Sequence, residues 1–334
     1  MNISKKTLQE ALEIVKPGLA SKEVIDQSTS FAFIKGRVVT YNNEISISHP
    51  VEGLELEGAI PAENLYKFLS KIKKDEIELE VDGNEIVITS GRSKAGLTLQ
   101  TEVKLPLEEV SGRKRWKEMP ENLIKSLSFA MTCCSRNLST PVLTCVNVSK
   151  NTVEASDGFR IVQCTLKGEM PLNTFLLPST SVLQVVKLKP TAFAESEGWV
   201  HFKTEAGTEI SCRVFEDKFP EVASHLKVEG IELVFPKTID EVLDRAGVFA
   251  KRDNMLDENI TITLENRKLI VSSKSEEGWF EEDVNVHYEG DKIEFNITPY
   301  LLKSILKETQ SSILGNNKLK FSGEDWEYMT ALRG

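Results

Sequence analysis

The segment IPAENLYKFLSKIKKDEIELEVDGNEIVITSGRS (60–93) contains one complete structural unit. Pro61 marks a helix start, because a residue without an N–H loses nothing at the first helical position. Leu65, Phe68, Leu69 and Ile72 follow at the i, i+3, i+4, i+7 spacing of one buried helix face. From Ile77 onward the apolar period drops to two and is interrupted by turn residues, which reads as antiparallel strands and hairpins. SGRS (90–93) belongs to that hairpin pattern and is not a phosphate cradle.

Working outward, the helix-start signal recurs. Proline stands at positions 61, 120, 178, 236 and 299, at intervals of 59, 58, 58 and 63 residues, and a further helix starts near Ser4, 57 residues before the first. Leu8, Ala11, Leu12 and Val15 repeat the buried-face pattern, as do Ile239, Val242, Leu243 and Ala246. Leu123 with Leu127, Leu183 with Val186, and Leu302 with Ile305 and Leu306 mark the other three helices. LIVSSKSEEGWFEEDVNV (269–286) is another hairpin stretch. One helix plus about four strands is thus used six times, and each apolar helix stripe needs a sheet to cover it. The fold class is α+β: three similar domains, each of two helix-plus-antiparallel-sheet repeats, spanning 1–116, 117–229 and 230–334. The basic, turn-rich GRKRWK (112–117) marks the first boundary and LKVEG (226–230) the second.

Composition narrows the function. With 40% hydrophobic and 28% charged residues the chain reads as an ordinary globular protein, and no apolar run reaches the roughly 20 residues that span a bilayer. Together with the charged N-terminal stretch MNISKKTLQEALEIVK, this predicts a cytoplasmic protein without a membrane partner. Five cysteines without CxxC spacing (Cys133, Cys134, Cys145, Cys164, Cys212) fit reduced thiols, and four isolated histidines disfavour a metal site. No metal or cofactor is expected. Asp157 and Gly158 in SDGFR suit a turn, since no nucleophile, metal cluster or Gly-rich loop accompanies them.

The net charge of −10 does not exclude a nucleic-acid partner if the basic residues are segregated to one face. Lys67, Lys71 and Lys74 fall in one stripe opposite the apolar face of their helix, and Lys303 with Lys307 repeat the arrangement. Lys125, Lys187 and Lys189 add single charges, whereas the first and fifth helices also carry Glu10, Glu13, Asp240, Glu241 and Asp244. Recurrence of lysines along one array points to a phosphate-facing helix surface. An array of equal units with unpaired terminal edges either stays open or closes by pairing those edges with a second copy.

VEASDGFRIVQC (153–164), preceded by STPVLTCVNV (139–148) and followed by EDKFPEV (216–222), resembles the bacterial DNA polymerase III beta sliding clamps. ITSGRSKAGLTL (88–99), FLLPSTSVLQVVKL (175–188), EFNITPYLLKSIL (294–306) and MTALRG (329–334) extend the resemblance, in order, over the whole chain. The resemblance implies a head-to-tail homodimeric ring that encircles double-stranded DNA without sequence preference and tethers a polymerase, with no chemistry of its own. It implies a cleft for short linear motifs of polymerase and clamp-loader subunits, walled by Leu143, Ser156, Gly158, Phe159, Arg160, Ile161, Pro220, Leu226, Tyr328, Thr330 and Leu332. Thr330-Ala331-Leu332-Arg333 stands where the family usually has Met-Pro-Met-Arg, and either His225 or Leu226 faces the cleft. Tyr328 is expected to lie along the peptide, and Arg160 either lines the cleft or pairs with Asp157. Lys22 and Arg136 match family positions that touch DNA. Ring closure is assigned to the strand with Lys94, Ala95, Gly96 and Leu97, opposite Val248 and Phe249 of the second copy. Three other readings remain open: a protein-binding scaffold of the same repeats, a hydrolase using Asp157 or a cysteine, and a clamp of phage or mobile-element origin.

Overall fold

The chain lays down a strand, a helix and three more strands, six times over. The computed structural model describes residues 1–170, 173–253 and 257–333. The first repeat is β1 (Asn2–Ser4), α1 (Lys5–Val15), β2 (Ser30–Ile34), β3 (Arg37–Tyr41) and β4 (Ile45–Pro50). The second is β5 (Gly58–Pro61), α2 (Ala62–Lys71), β6 (Glu76–Asp82), β7 (Glu85–Ser90) and β8 (Ser93–Thr98). A linker with one short helix, α3 (Glu108–Ser111), leads to β9 (Lys117–Glu118), α4 (Leu123–Ala130), β10 (Cys145–Val148), β11 (Thr152–Ser156) and β12 (Arg160–Thr165). The fourth repeat is β13 (Phe175–Pro178), α5 (Ser179–Leu188), β14 (Ala192–Ser196), β15 (Trp199–Lys203) and β16 (Glu209–Arg213). The fifth is β17 (Gly230–Val234), α6 (Ile239–Ala250), β18 (Ile260–Glu265), β19 (Lys268–Lys274) and β20 (Trp279–Asn285). The sixth is β21 (Ile293–Ile297), α7 (Pro299–Leu306), β22 (Ser311–Gly315), β23 (Lys318–Ser322) and β24 (Trp326–Ala331).

The prolines play two different parts in starting these helices. Pro299 occupies the first turn of α7, as the pattern predicts. Pro61 and Pro178 instead end strands β5 and β13 in extended backbone and act as the residue before the helix. Pro120 and Pro236 sit three residues upstream, where their carbonyls accept the N–H of Leu123 and Ile239 at 3.0 Å. α1 has no proline and is capped by Ser4, whose hydroxyl accepts the Thr7 N–H. The expected buried faces of α1 and α6 are buried in full, and Leu301 joins the predicted set in α7. In α5 the buried face is Ser181, Val182 and Val185, one residue from the predicted Leu183 and Val186. Five apolar residues in that helix (Val182, Leu183, Val185, Val186 and Leu188) leave its period ambiguous, and packing buries Val182 and Val185.

The fold divides into two compact units, residues 1–128 with 168–216, and residues 129–167 with the chain from 217 onward. In the first unit α1 packs on α2 and on β3 and β4; in the second α6 packs on α7 and on β19 and β20. Within the first and last pairs of repeats the leading strands are exchanged. β5 pairs with β2 and β1 with β6; likewise β21 pairs with β18 and β17 with β22. β9 of the third repeat pairs with β14 of the fourth in the same way.

The last strand of a repeat decides what happens next. β4 joins β16 antiparallel, giving an eight-stranded sheet β5-β2-β3-β4-β16-β15-β14-β9 in the first unit. β12 joins β24 in the second unit, where β10-β11-β12-β24-β23-β22-β17 are consecutive neighbours. Among the described residues, the last strands of repeats two and five find no second neighbour: β1-β6-β7-β8 and β20-β19-β18-β21 stop at four strands, with β8 and β20 as edges.

Candidate peptide site and nucleic-acid surface

The most constrained loop of the second unit is the β11–β12 turn, built by the SDGFR sequence. Gly158 has φ of +90°, a conformation that glycine tolerates without strain. The Asp157 carboxylate accepts the backbone N–H of Phe159 and of Arg160 through Oδ1, and Arg160 Nε through Oδ2, each at 3.0 Å. Ser156 Oγ donates to the Arg160 carbonyl and accepts the Gly158 N–H. Arg160 Nη2 donates to the Thr132 carbonyl at 2.6 Å, and the guanidinium lies 5.6 Å from the Tyr300 ring. Both Asp157 and Arg160 side chains are almost wholly enclosed, so neither is free to act on a substrate. Leaving one of a buried charge pair alone costs about 3–5 kcal/mol, which makes the pair a rigid staple.

That staple holds Phe159 outward, 48% exposed. The Phe159 carbonyl accepts the Ala331 N–H at 2.8 Å, and the Leu332 N–H donates to the Asn317 carbonyl, so the chain after β24 is tied to the turn. Ile161 and Leu332 lie just below the surface. A short helical turn, Ala223–Leu226, packs on β24 and sends Leu226 inward at 2% exposure, leaving His225 and Pro220 outside. Leu143 is half-buried and its carbonyl accepts the Ser135 N–H.

All eleven predicted cleft residues therefore fall in one compact unit, in two layers. Phe159, Gly158, Pro220 and Leu143 offer surface; Ser156, Arg160, Thr330 and Tyr328 form the layer beneath. Tyr328, expected along a peptide, is only 1% exposed, because it shares the inner face of β24 with Trp326 and stacks edge-on against Phe321. Its hydroxyl is buried beside the Arg160 guanidinium, with no well-formed hydrogen bond among the described residues.

Four of the five cysteines are poorly suited to act as nucleophiles. Burial pushes the Cys133 thiol up to about 11 and Cys145 to about 11, and pushes Cys134 and Cys212 higher, so all four stay protonated near neutrality.

The predicted cationic residues stand in the two units separately. Lys67 and Lys71 are exposed on α2 and Lys74 follows it; Lys67 pairs with Glu63 at 2.5 Å, one turn earlier. On α7, Lys303 pairs with Asp244 of α6, and Lys307 is exposed. Lys22, Lys71, Lys74, Arg136 and Lys307 have no ion-pair partner among the described residues. One acidic row lies on β6, where Glu76, Glu78, Glu80 and Asp82 alternate with buried Ile77 and Leu79, while other carboxylates stand among the helix lysines, as in the Glu63–Lys67 and Asp244–Lys303 pairs.

The residues assigned to ring closure lie at the unmated edges. Lys94, Ala95, Gly96 and Leu97 are on β8, and Val248 is 68% exposed near the end of α6. Phe249 stacks on Phe280 with ring centroids 6.5 Å apart, and neighbouring Trp279 is 70% exposed. Trp279 and Phe280 escaped the sequence reading, although an aromatic pair opening an acidic strand, GWFEEDV (278–284), is a visible signal.

No family model matches the chain. Curated relatives include the beta sliding clamp of Haemophilus influenzae, 26% identical over 270 residues, covering 73% of this chain and 70% of that one. The beta sliding clamp of Pseudomonas putida is 24% identical over 282 residues, covering 77% and 74%. Among solved structures, the DNA polymerase III subunit beta from Pseudomonas aeruginosa superposes with a TM-score of 0.85 at 18% identity, over 100% of this chain and 99% of that one. The sliding clamp from Bacillus subtilis gives 0.83 at 19%, over 100% and 98%. The Bartonella birtlesii clamp, bound to griselimycin, gives 0.87 at 15%, over 100% and 99%. In sequence and in fold the chain is similar to the beta sliding clamps of bacterial DNA polymerase III, and its architecture is the DNA clamp fold.

Proposed function

We propose that this chain is a processivity clamp, non-catalytic and cytoplasmic, made of three two-repeat domains (1–116, 117–229 and 230–334). Two copies close head to tail, β8 of each meeting β20 of the other. The closed ring surrounds duplex DNA, so weak phosphate contacts from Lys22, Lys67, Lys71, Lys74, Arg136, Lys303 and Lys307 suffice and sliding stays easy. Polymerase and loader subunits dock short motifs against Phe159, Ile161, Leu226 and Leu332, an apolar surface with a polar rim.

The observation that carries this reading is the rule of last strands. Repeat one joins repeat four and repeat three joins repeat six, edge to edge and antiparallel, while repeats two and five keep bare edges. Bare edges of regular sheet are templates for another chain. Joining repeat five to repeat two of a second copy applies the same rule once more and leaves no last strand of a repeat without a second neighbour.

The test is retention on DNA. Loaded onto a nicked circle, the protein should stay bound in high salt and leave once the circle is linearised. Release at equal rates from circle and linear DNA, or retention confined to particular sequences, would contradict a topological clamp.

A further inference from the structure

A cavity lies in the first unit, where the linker after the second repeat crosses the β4–β16 sheet. The linker is not bare. Leu105 and Val110 pack into a cluster with Val39, Tyr41 and Trp199, with Ile34 and Leu107 half-buried against it. This strap leaves a cavity of about 270 Å³ between itself and the outward rows of β3, β4 and β16. Ile34, Val39, Leu107 and Val110 form its apolar wall. The cavity is smaller than the roughly 300 Å³ at which sites for drug-sized ligands begin. It therefore suits a single anchoring side chain better than a cofactor.

Charge selects the occupant. Lys35, Arg37 and Lys114 line the cavity against one carboxylate, Glu209. Arg37 is held rigidly, its Nε donating to Ser48 Oγ at 2.6 Å and its Nη2 to the Gly207 carbonyl at 2.8 Å. Lys114 sits 2.6 Å from Glu209, both largely enclosed. Glu57 takes the Lys35 backbone N–H but does not line the cavity. Three cations facing one carboxylate in a half-enclosed apolar site favour an anionic apolar ligand.

We infer that this pocket binds a short acidic peptide segment of a partner protein, seating one aliphatic or aromatic side chain against Leu107 and Val110 with a neighbouring carboxylate at Lys35 and Lys114. The position has a counterpart in the second unit, where Phe219, Val222 and Leu226 of the next linker are buried and the turn Ala223–Leu226 packs on β24. That likeness rests on the peptide cleft proposed above; the cavity and its charges do not.

Methyl-labelled full-length protein titrated with the capped peptide acetyl-Asp-Asp-Leu-Phe-amide tests the pocket. The methyls of Ile34, Val39, Leu107 and Val110 should shift and saturate, and the double variant Lys35→Glu/Ser111→Trp, at exposed positions on the rim, should weaken that binding at least tenfold. An Asn-Asn-Leu-Phe analogue should bind several-fold more weakly. Methyls of Ile161, Leu226 and Leu332 report the proposed cleft separately, so either site can fail while the other stands. Shifts confined to the cleft methyls, no movement at millimolar peptide, or equal binding of the uncharged analogue would each overturn the proposal.

Discussion

Strands β4 and β8 occupy the same place in consecutive repeats, yet their surroundings differ completely. β4 has β3 on one side and β16 on the other, and its first three residues are buried. β8 has only β7, and none of its residues is fully buried. β12 and β20 differ in the same way: β12 is sealed by β24, while β20 alternates exposed and half-buried along its whole length. The repeat itself is the same. What differs is whether its final strand meets a neighbour, and the proposed ring would supply one to β8 and β20 from a second copy.

Removing the aromatic cluster beside the open edge should have the largest effect. In the double variant Phe249→Ala/Trp279→Ala, the dimer should be weaker by about 4 kcal/mol or more, the scale of core truncations and interface anchors. Each compact unit should keep its melting temperature, because Trp279 is exposed and Phe249 half-buried within one chain. Analytical ultracentrifugation across a dilution series checks the loss, and an unchanged dimer at nanomolar concentration would sink the assignment of these edges.

Acid should distinguish the two mated sheets. His201 on β15 is buried between Ser196 Oγ and Ser211 Oγ, at 2.8 and 2.7 Å, and its pKa is lowered to about 4, first by burial and then by Lys114. An unfolded histidine titrates near 6.5, so the unfolded chain binds the extra proton between those values. The contribution is therefore complete above about pH 6.5 and is lost as pH falls toward about 4, by up to about 3 kcal/mol. Hydrogen exchange should show β15 and β16 loosening in this window, and His201→Gln should remove that part of the pH dependence. If the variant keeps the wild-type pH profile, His201 is not the titrating group.

A smaller effect concerns the turn beside the β12–β24 junction. Phe159→Ala should cost partner-peptide affinity about 1–2 kcal/mol while leaving stability within about 0.5 kcal/mol, because the ring is exposed and the staple beneath it stays intact. Calorimetric titration with a partner peptide and a thermal melt check both halves. Asp157→Asn, by contrast, should destabilise the unit itself, since it leaves Arg160 buried with its charge unpaired.

The lysines should show the mildest change. Neutralising Lys71 and Lys74 should reduce the slope of log affinity for DNA against log salt by about two units. Adding Lys67 should lower it further by less than one, because its pair with Glu63 already offsets part of its charge. Filter binding at several salt concentrations resolves the difference.

Much of this organisation was legible in the sequence, for identifiable reasons. The repeat could be read because each unit needs its own helix start and its own apolar stripe, and both leave marks at fixed spacing. The Asp157–Gly158 turn was readable because such a turn needs the Asp157 carboxylate as acceptor and a residue that takes positive φ at 158. The exchange of leading strands was not, since nothing in β1 or β5 distinguishes one antiparallel neighbour from another. The linker around Leu105–Val110 was read only as a boundary, because its basic end drew attention from its alternating Val103, Leu105 and Leu107. The candidate cleft residues fall in one unit, but their layering was not legible: burial of Tyr328 depends on the register of β24 with β12 and β23.

Hydrogen exchange of β8 and β20 as a function of protein concentration tests the central claim most directly. The account predicts that the outward-facing amides of both strands become protected together as a species of twice the 37.4 kDa chain forms, while β4 and β12 are protected at every concentration. Fast exchange of β8 and β20 in a solution already shown to be dimeric would contradict it, and would place the contact between copies elsewhere.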